Sequence, residues 1–480
     1  MKKELEVAHQ RPETRSKRPD SATIMKGGLA MPPGHHMGAT RGDGAEFWKA
    51  RISDNPITDA FDEGIVTHPG MGSVPVPLDQ AGALLDELSR KERSGRAVAY
   101  FNIPYCETRC LYCMFYINPY RDAEESHRFS DALIREMQLW DGRAVQSGRP
   151  FEALYFGGGT PTALSAEDIE RVLNAARKYL PLANDCEITF EGRLSNFGPD
   201  RIEACLNGGV NRFSMGVQSF DTRIRQAVGR RSTHEELVSS LERLISYHQA
   251  AVVIDLIYGF PFQTFETWKE DLQIAYDIGV DGVDCYQLRV FPGAPLFNYI
   301  ASGKLPPGPD HRLRARMFSH AVESLREPAW RRLSISHWAR NTRERNFYNY
   351  FVKGRTDCVP FGPGGGGSLF GNTIMNSRKV TEWMNAVNDG RKCIGMMTRP
   401  RRNYEAGLAV SEQLELNYLN PGLLDKEVPG VHFKERFAPI LKNWEDAGLL
   451  SPSGDYLLLT TAGQFWQGRL TQSLMDALSH

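Results

Sequence analysis

Residues 97–113 read AVAYFNIPYCETRCLYC: seven mostly apolar, β-prone residues, then Pro104, then cysteines at 106, 110 and 113. A short apolar run stopped by proline has the length and punctuation of a buried strand. Five more such runs follow, ALYF (153–156), EITF (187–190), RFSMG (212–216), VVIDLIYG (252–259) and VDCYQL (283–288). Between them lie stretches with apolar residues at helical spacing, including HRFSDALIREMQLW, AEDIERVLNAARKYL, HEELVSSLERLISY and ETWKEDLQIAYDIG. Six strands alternating with helices predict an α/β fold with a parallel sheet and helices outside it. No GxGxxG follows the first strand, so a partial (β/α)6 barrel fits better than a doubly wound sheet. Its chemistry is then expected at the C-terminal ends of the strands.

Outward from this core the rhythm changes on both sides. Residues 1–50 carry few apolar groups and many Gly, Pro, Arg and His, and are expected to be a disordered tail. Residues 51–95 read as an arm and one helix at about 79–93, and the barrel as 96–305. The remainder, 306–480, reads as a mainly helical substrate domain, with a glycine loop at 361–371 (FGPGGGGSLFG). Near its end, LLSPSGDYLLLTTAGQFW is similar to the wing of a winged helix. Lys and Arg total 57 against 58 Asp and Glu, a net charge of −1. That balance argues against a general nucleic-acid binder, whose affinity rests on neutralised phosphates. No uncharged run of ~18 apolar residues occurs and the first residues lack the apolar centre of a signal peptide. A cytoplasmic enzyme with no membrane partner is the expectation.

Three thiols spaced CxxxCxxC on one loop can face a common centre, and soft thiolates select iron–sulfur clusters or zinc. Zinc prefers a fourth protein ligand, commonly from a second CxxC pair, and none follows. Three cysteines on a [4Fe–4S] cube leave one iron open, which suits a catalytic cluster. Cys186, Cys205, Cys285, Cys358 and Cys393 have no ligand spacing and read as buried thiols.

The cysteine loop resembles that of radical SAM enzymes, and its flanks are similar to the coproporphyrinogen-dehydrogenase-like branch. The matching residues are Tyr100-Phe-Asn-Ile-Pro-Tyr-Cys106, Gly157-Gly-Gly159-Thr160-Pro161-Thr162, Glu191, Gly216-Val-Gln218-Ser-Phe220 and Asp255-Leu-Ile-Tyr-Gly259-Phe-Pro261. The resemblance implies a partial radical SAM barrel with a [4Fe–4S] cluster on Cys106, Cys110 and Cys113. It also implies two S-adenosylmethionines per turnover. Tyr100, Gly158 and Glu191 would hold the cluster-bound one, and Tyr112, Gly159, Thr160, Gln218, Arg230 and Asp255 the second. The longer stretches Asp185-Cys-Glu-Ile-Thr-Phe-Glu-Gly-Arg193 and Ser336-His-Trp-Ala-Arg340-Asn-Thr-Arg343-Glu-Arg345-Asn, with glycines 364–367, are similar to haem-degrading radical SAM methyltransferases of the anaerobilin-synthase type. That implies haem as substrate, its macrocycle opened by a methyl-derived carbon, and a flavodoxin or flavin reductase as electron donor. Within the same branch stand the oxygen-independent coproporphyrinogen dehydrogenases, which carry a further cysteine where this chain has Phe115, and non-catalytic haem chaperones. For the substrate, His337 is either an axial ligand or a hydrogen-bonded core histidine. Arg340 and Arg343, three apart, would share a helical face, as a propionate clamp or as a solvated surface.

Overall fold

The computed structural model describes residues 47–62, 64, 73–326 and 329–479, so the expected tail lies outside the described residues except for positions 47–50. Six parallel strands make its centre: β1 (Ala97–Ile103), β2 (Phe151–Gly158), β3 (Leu182–Gly192), β4 (Arg212–Gln218), β5 (Ala251–Tyr258) and β6 (Gly282–Gln287). Each pairs with the next in sequence order. Helices α1 (Ala123–Gln138), α2 (Ala166–Tyr179), α3 (Pro199–Asn207), α4 (His234–Ser246) and α5 (Phe265–Ile278) make the crossovers. The sheet is covered on both faces, so its strands read as near-continuous apolar runs, Ala97, Val98, Ala99, Phe101 and Ile103 being fully buried.

The helices begin where the chain supplies caps. Asp122, Ser165 and Thr233 accept hydrogen bonds from the backbone N–H of Glu125, Asp168 and Glu236, each cap contributing about 1 kcal/mol. In α2 the buried stripe is Ile169, Val172, Leu173 and Ala176. Removing each of its larger side chains from water contributes roughly 1.5–3 kcal/mol.

The chain beyond residue 306 departs from a mainly helical domain. After α6 (His311–Arg326), β7 (His337–Ala339) pairs antiparallel with β6. On the opposite edge β8 (Asp357–Phe361) lies parallel to β1. From it β9 (Gly366–Leu369), β10 (Asn372–Asn376) and β11 (Ile394–Arg399) continue antiparallel. Residues 337–399 therefore extend the barrel's own sheet at both edges. These strands are three to six residues long and interleaved with glycine and arginine, so they carry no periodicity of their own. Only from Tyr404 is the chain mainly helical, with an antiparallel hairpin, Leu450–Ser453 against Tyr456–Leu459, where the wing was expected. A second core of Phe433, Phe437, Trp444, Leu470 and Leu474 holds this part, and Phe61 of the N-terminal arm belongs to it. Among the described residues no helix is long and apolar enough to cross a membrane.

Candidate active site

β1 stops at Pro104 and the cysteine loop leaves the sheet there. Backbone bonds from Asn118 N to Pro104 O (2.6 Å) and from Tyr120 N to Cys106 O (3.2 Å) close its base. Leu111 N to Val228 O (3.0 Å) and Leu296 N to Leu111 O (2.8 Å) tie its middle to the segments after β4 and β6. Cys106 and Cys110 are buried and Cys113 half-buried. Cys106 Sγ shares a hydrogen bond with Thr160 Oγ1 (3.2 Å). Arg193 Nη2 donates to Cys110 Sγ (3.3 Å) and also reaches Cys106 Sγ (3.9 Å). One guanidinium nitrogen thus spans two thiols, which brings both sulfurs within reach of one polynuclear group. Among the described residues no three His, Cys, Asp or Glu side chains converge tightly enough for a single metal ion. A four-iron cube makes no such demand, because it takes one thiolate per iron.

The glycines that end β2 let backbone pass where a side chain would not fit. Gly158 has φ +108°, and a Cβ there would sit 2.1 Å from Asn102 Oδ1; at Gly159 it would sit 2.7 Å from Tyr105 O. Gly158 N donates to Glu191 Oε2 (3.2 Å) while Tyr155 Oη donates to Glu191 Oε1 (2.5 Å). Burial pushes the Glu191 carboxyl up, and these two bonds with the nearby Arg212 offset that only in part. Tyr100 Oη donates to Asn102 Oδ1 (3.2 Å), and its ring stacks against Tyr155 and Tyr348 at 6.2 and 6.0 Å. Tyr100, Gly158 and Glu191 are therefore brought together as one wall.

A second polar set stands beside the loop. Arg230 Nη2 donates to Tyr112 Oη (3.2 Å) and Arg230 Nη1 to Gly216 O (3.0 Å). Its Nε is buried without a partner among the described residues. β4 bulges between Gly216 and Gln218, and Gln218 has φ +74°, a left-handed backbone that costs a non-glycine residue about 1–3 kcal/mol. The bulge folds the Gln218 amide over Gly216, where a Cβ would lie 2.8 Å from Nε2. Asp255, on β5, is in register with Gly216 and with Asp284. Burial, then Asp284 and Glu191, push its carboxyl well above the usual range, and Arg212 and Arg230 oppose this. The site thus holds half-buried carboxylates with cations nearby but no direct ion pair among the described residues, and one arginine with a spare donor. An adenosyl amino acid supplies the missing hydroxyls, ammonium and carboxylate together, so these residues fit S-adenosylmethionine.

The three substrate candidates fall elsewhere. His337 is a fully buried residue of β7, its Nδ1 2.8 Å from Asp284 Oδ2 and its Nε2 3.1 Å from Glu344 Oε1. Burial would favour the neutral ring, but the two carboxylates lift its pKa to about 9. Nε2 hydrogen-bonds Glu344 and Nδ1 faces Asp284 at ion-pair distance without hydrogen-bond alignment, so the ring is enclosed between two acids as a core histidine. Glu344 is in turn held at about 2: burial opposes this, but the Arg212 ion pair (3.0 Å) and His337 outweigh it. Arg340 and Arg343 share no helical face, because residues 340–343 form a turn. Arg340 donates to Tyr276 O (2.7 Å) and Arg343 to Ala250 O (2.9 Å) and His248 O (3.1 Å). Those carbonyls precede β5 or close α5, at the end of the barrel opposite the cysteines. Conversely, Arg193 and Tyr155 belong to the site without having been singled out. Arg193 lies two residues past Glu191 at the end of β3, and a strand's period of two is the signal that points to it.

Comparison with known proteins agrees with this picture. Residues 103–275 match the model of the radical SAM superfamily. Anaerobilin synthase of Escherichia coli O157:H7 is 39% identical over 413 residues, covering 85% of this chain and 91% of its own. Oxygen-independent coproporphyrinogen III oxidase of Pseudomonas aeruginosa is 25% identical over 85% of this chain and 90% of its own. The heme chaperone HemW of Synechocystis is 31% identical over 50% of this chain and 59% of its own. Among solved structures, coproporphyrinogen III oxidase (HemN) of Escherichia coli shares the fold, with a TM-score of 0.69 over 84% of this chain and 96% of that one at 20% identity.

Proposed function

The chain belongs to the radical SAM family of anaerobilin synthase, and from that premise we propose that it opens the haem macrocycle. A methyl-derived carbon passes from a second S-adenosylmethionine to a haem meso carbon, and a linear tetrapyrrole and free iron result. The observation that carries this reading is the pair of separate polar sets beside one cysteine loop, Glu191 with Gly158 and Arg230 with Tyr112 and Gln218. Two such sets suit two adenosyl groups.

When bound, a [4Fe–4S] cluster on Cys106, Cys110 and Cys113 supplies the electron for reductive cleavage of S-adenosylmethionine. The rest falls to the chain's own side chains. Thr160 and Arg193 orient the cysteines, and Tyr155 fixes Glu191 as an acceptor. Arg230, pinned to Gly216 O, presents its free N–H to a carboxylate. Around the mouth, Met114, Phe115, Val290 and Phe297 are exposed apolar side chains on the segments that follow β1 and β6. They offer an apolar rim to a flat macrocycle and help keep water from the reaction. The electron donor in this reading is a flavodoxin or flavin reductase.

The test is an anaerobic assay of reconstituted protein with haem, reductant and methyl-deuterated S-adenosylmethionine, read by mass spectrometry. A linear tetrapyrrole bearing the deuterated carbon, with deuterium also in 5′-deoxyadenosine, is expected. Intact haem beside undeuterated 5′-deoxyadenosine would overturn the haem-opening reading.

A further inference from the structure

The Arg193 guanidinium is clamped at both ends. Nη1 donates to Thr108 Oγ1 (2.8 Å), inside the cysteine loop, while Nη2 points at Cys110 Sγ and Cys106 Sγ. Behind it, Arg193 N donates to Thr162 Oγ1 (3.2 Å). Gly192 packs so closely on the same threonine that a Cβ would lie 2.4 Å from Thr162 Cγ2. One turn on, Asn196 Oδ1 accepts from Thr162 Oγ1 (2.9 Å) and Asn196 Nδ2 donates to Glu107 Oε1 (3.3 Å), joining the turn after β3 to the loop a second time. A side chain braced in this way is not a solvated surface arginine that happens to drift near sulfur. Arg230 also faces Cys110, but its Nη1 donates to Gly216 O and its Nη2 to Tyr112 Oη, while its Nε stays without a partner among the described residues.

A charged N–H directed at a thiolate in a partly buried site stabilises whichever cluster state carries more negative charge. Hydrogen bonds to sulfur and local net charge are among the main settings of an iron–sulfur potential. We propose that Arg193 sets the reduction potential of the cluster held by Cys106, Cys110 and Cys113, making it easier to reduce, and acts through the cysteines without touching substrate. This rests on the cluster reading above; a wild-type chain that takes up no cluster on reconstitution defeats that reading before any variant is made.

The experiment is an EPR-monitored redox titration of reconstituted wild type, R193M and T108V, with iron and sulfide analysis of each. R193M keeps the volume and loses the charge and the donor. T108V keeps Arg193 but removes the hydroxyl that aims it. With wild-type cluster content, R193M is expected to show a one-electron reduction constant about tenfold smaller, a midpoint roughly 59 mV lower, and T108V a smaller shift of the same sign. A fully loaded R193M at the wild-type potential overturns the proposal. Should R193M fail to load, T108V decides: a lowered midpoint upholds the role, and an unchanged one refutes it.

Discussion

Replacing His337 with Gln removes the cation that stands between Asp284 and Glu344 and leaves the size of the side chain nearly unchanged. The ring is fully buried, with carboxylate oxygens 2.8 and 3.1 Å from its two nitrogens. Burial alone would discharge it, yet the carboxylates raise its pKa to about 9. Against about 6.5 for a free imidazole, and at about 1.36 kcal/mol for each tenfold in proton affinity, the protonated ring contributes about 3 kcal/mol. Because the folded value lies above the unfolded one, that contribution is complete below pH 6.5 and is lost as pH rises through about 9. Glu344, held at about 2, keeps its charge across the whole window. Unfolding free energies of wild type and H337Q from urea titration should therefore differ by about 3 kcal/mol at pH 6 and converge by pH 9.5. An equal gap at both pH values, or none at pH 6, would refute the charge assignment. A His337 serving as haem ligand would instead shift the Soret band of bound haem in H337Q, and no such shift is expected.

Cys106→Ala, Cys110→Ala and Cys113→Ala should each lose cluster and turnover together, checked by iron and sulfide analysis beside the assay; a variant cleaving S-adenosylmethionine at the wild-type rate would contradict the site. Gly158→Ala puts a methyl group against Asn102 Oδ1 on a backbone with φ +108°. It should weaken S-adenosylmethionine binding at least tenfold by equilibrium dialysis and cost on the order of 2 kcal/mol of stability. The double variant Arg340→Ala with Arg343→Ala should keep haem turnover within about twofold, because both side chains bond backbone carbonyls at the far end of the barrel. Its thermal stability should fall by about 1 kcal/mol or less.

The six central strands were readable because each run is mostly apolar and short, and four of the crossover helices, α1, α2, α4 and α5, because each has a side-chain cap and a buried stripe. The cysteine loop was readable from its spacing, while the triple glycine, Glu191 and the Gln218 segment were picked out by resemblance, and the structure gathers all of them at strand ends. Spacing failed where tertiary context overruled it. Arg340 and Arg343 have helical spacing but lie in a turn, and His337 has the chemistry of a ligand but is enclosed by Glu344, seven residues on, and by Asp284, which is distant in sequence. Nothing local announces Asp284 as its partner. The extension of the sheet by β7 to β11 was hidden for a related reason: strands of three to six residues, broken by glycines, borrow their order from neighbours already in place.

β8 supplies the other flank of β1, Asp357 opposite Ala97 through to Phe361 opposite Phe101, and just past it Pro363 O accepts from Asn102 Nδ2 across 261 positions of sequence. While the chain is being synthesised, β1 is thus a strand with a bare edge until residue 361 has been delivered. Such an edge is a template for pairing with a second chain, and contacts this distant in sequence close slowly. A fragment cut at residue 305 would contain every cysteine, glycine and carboxylate of the site. It would nevertheless hang its cysteine loop from a strand secured on one side, and self-association would compete with the loop for that strand.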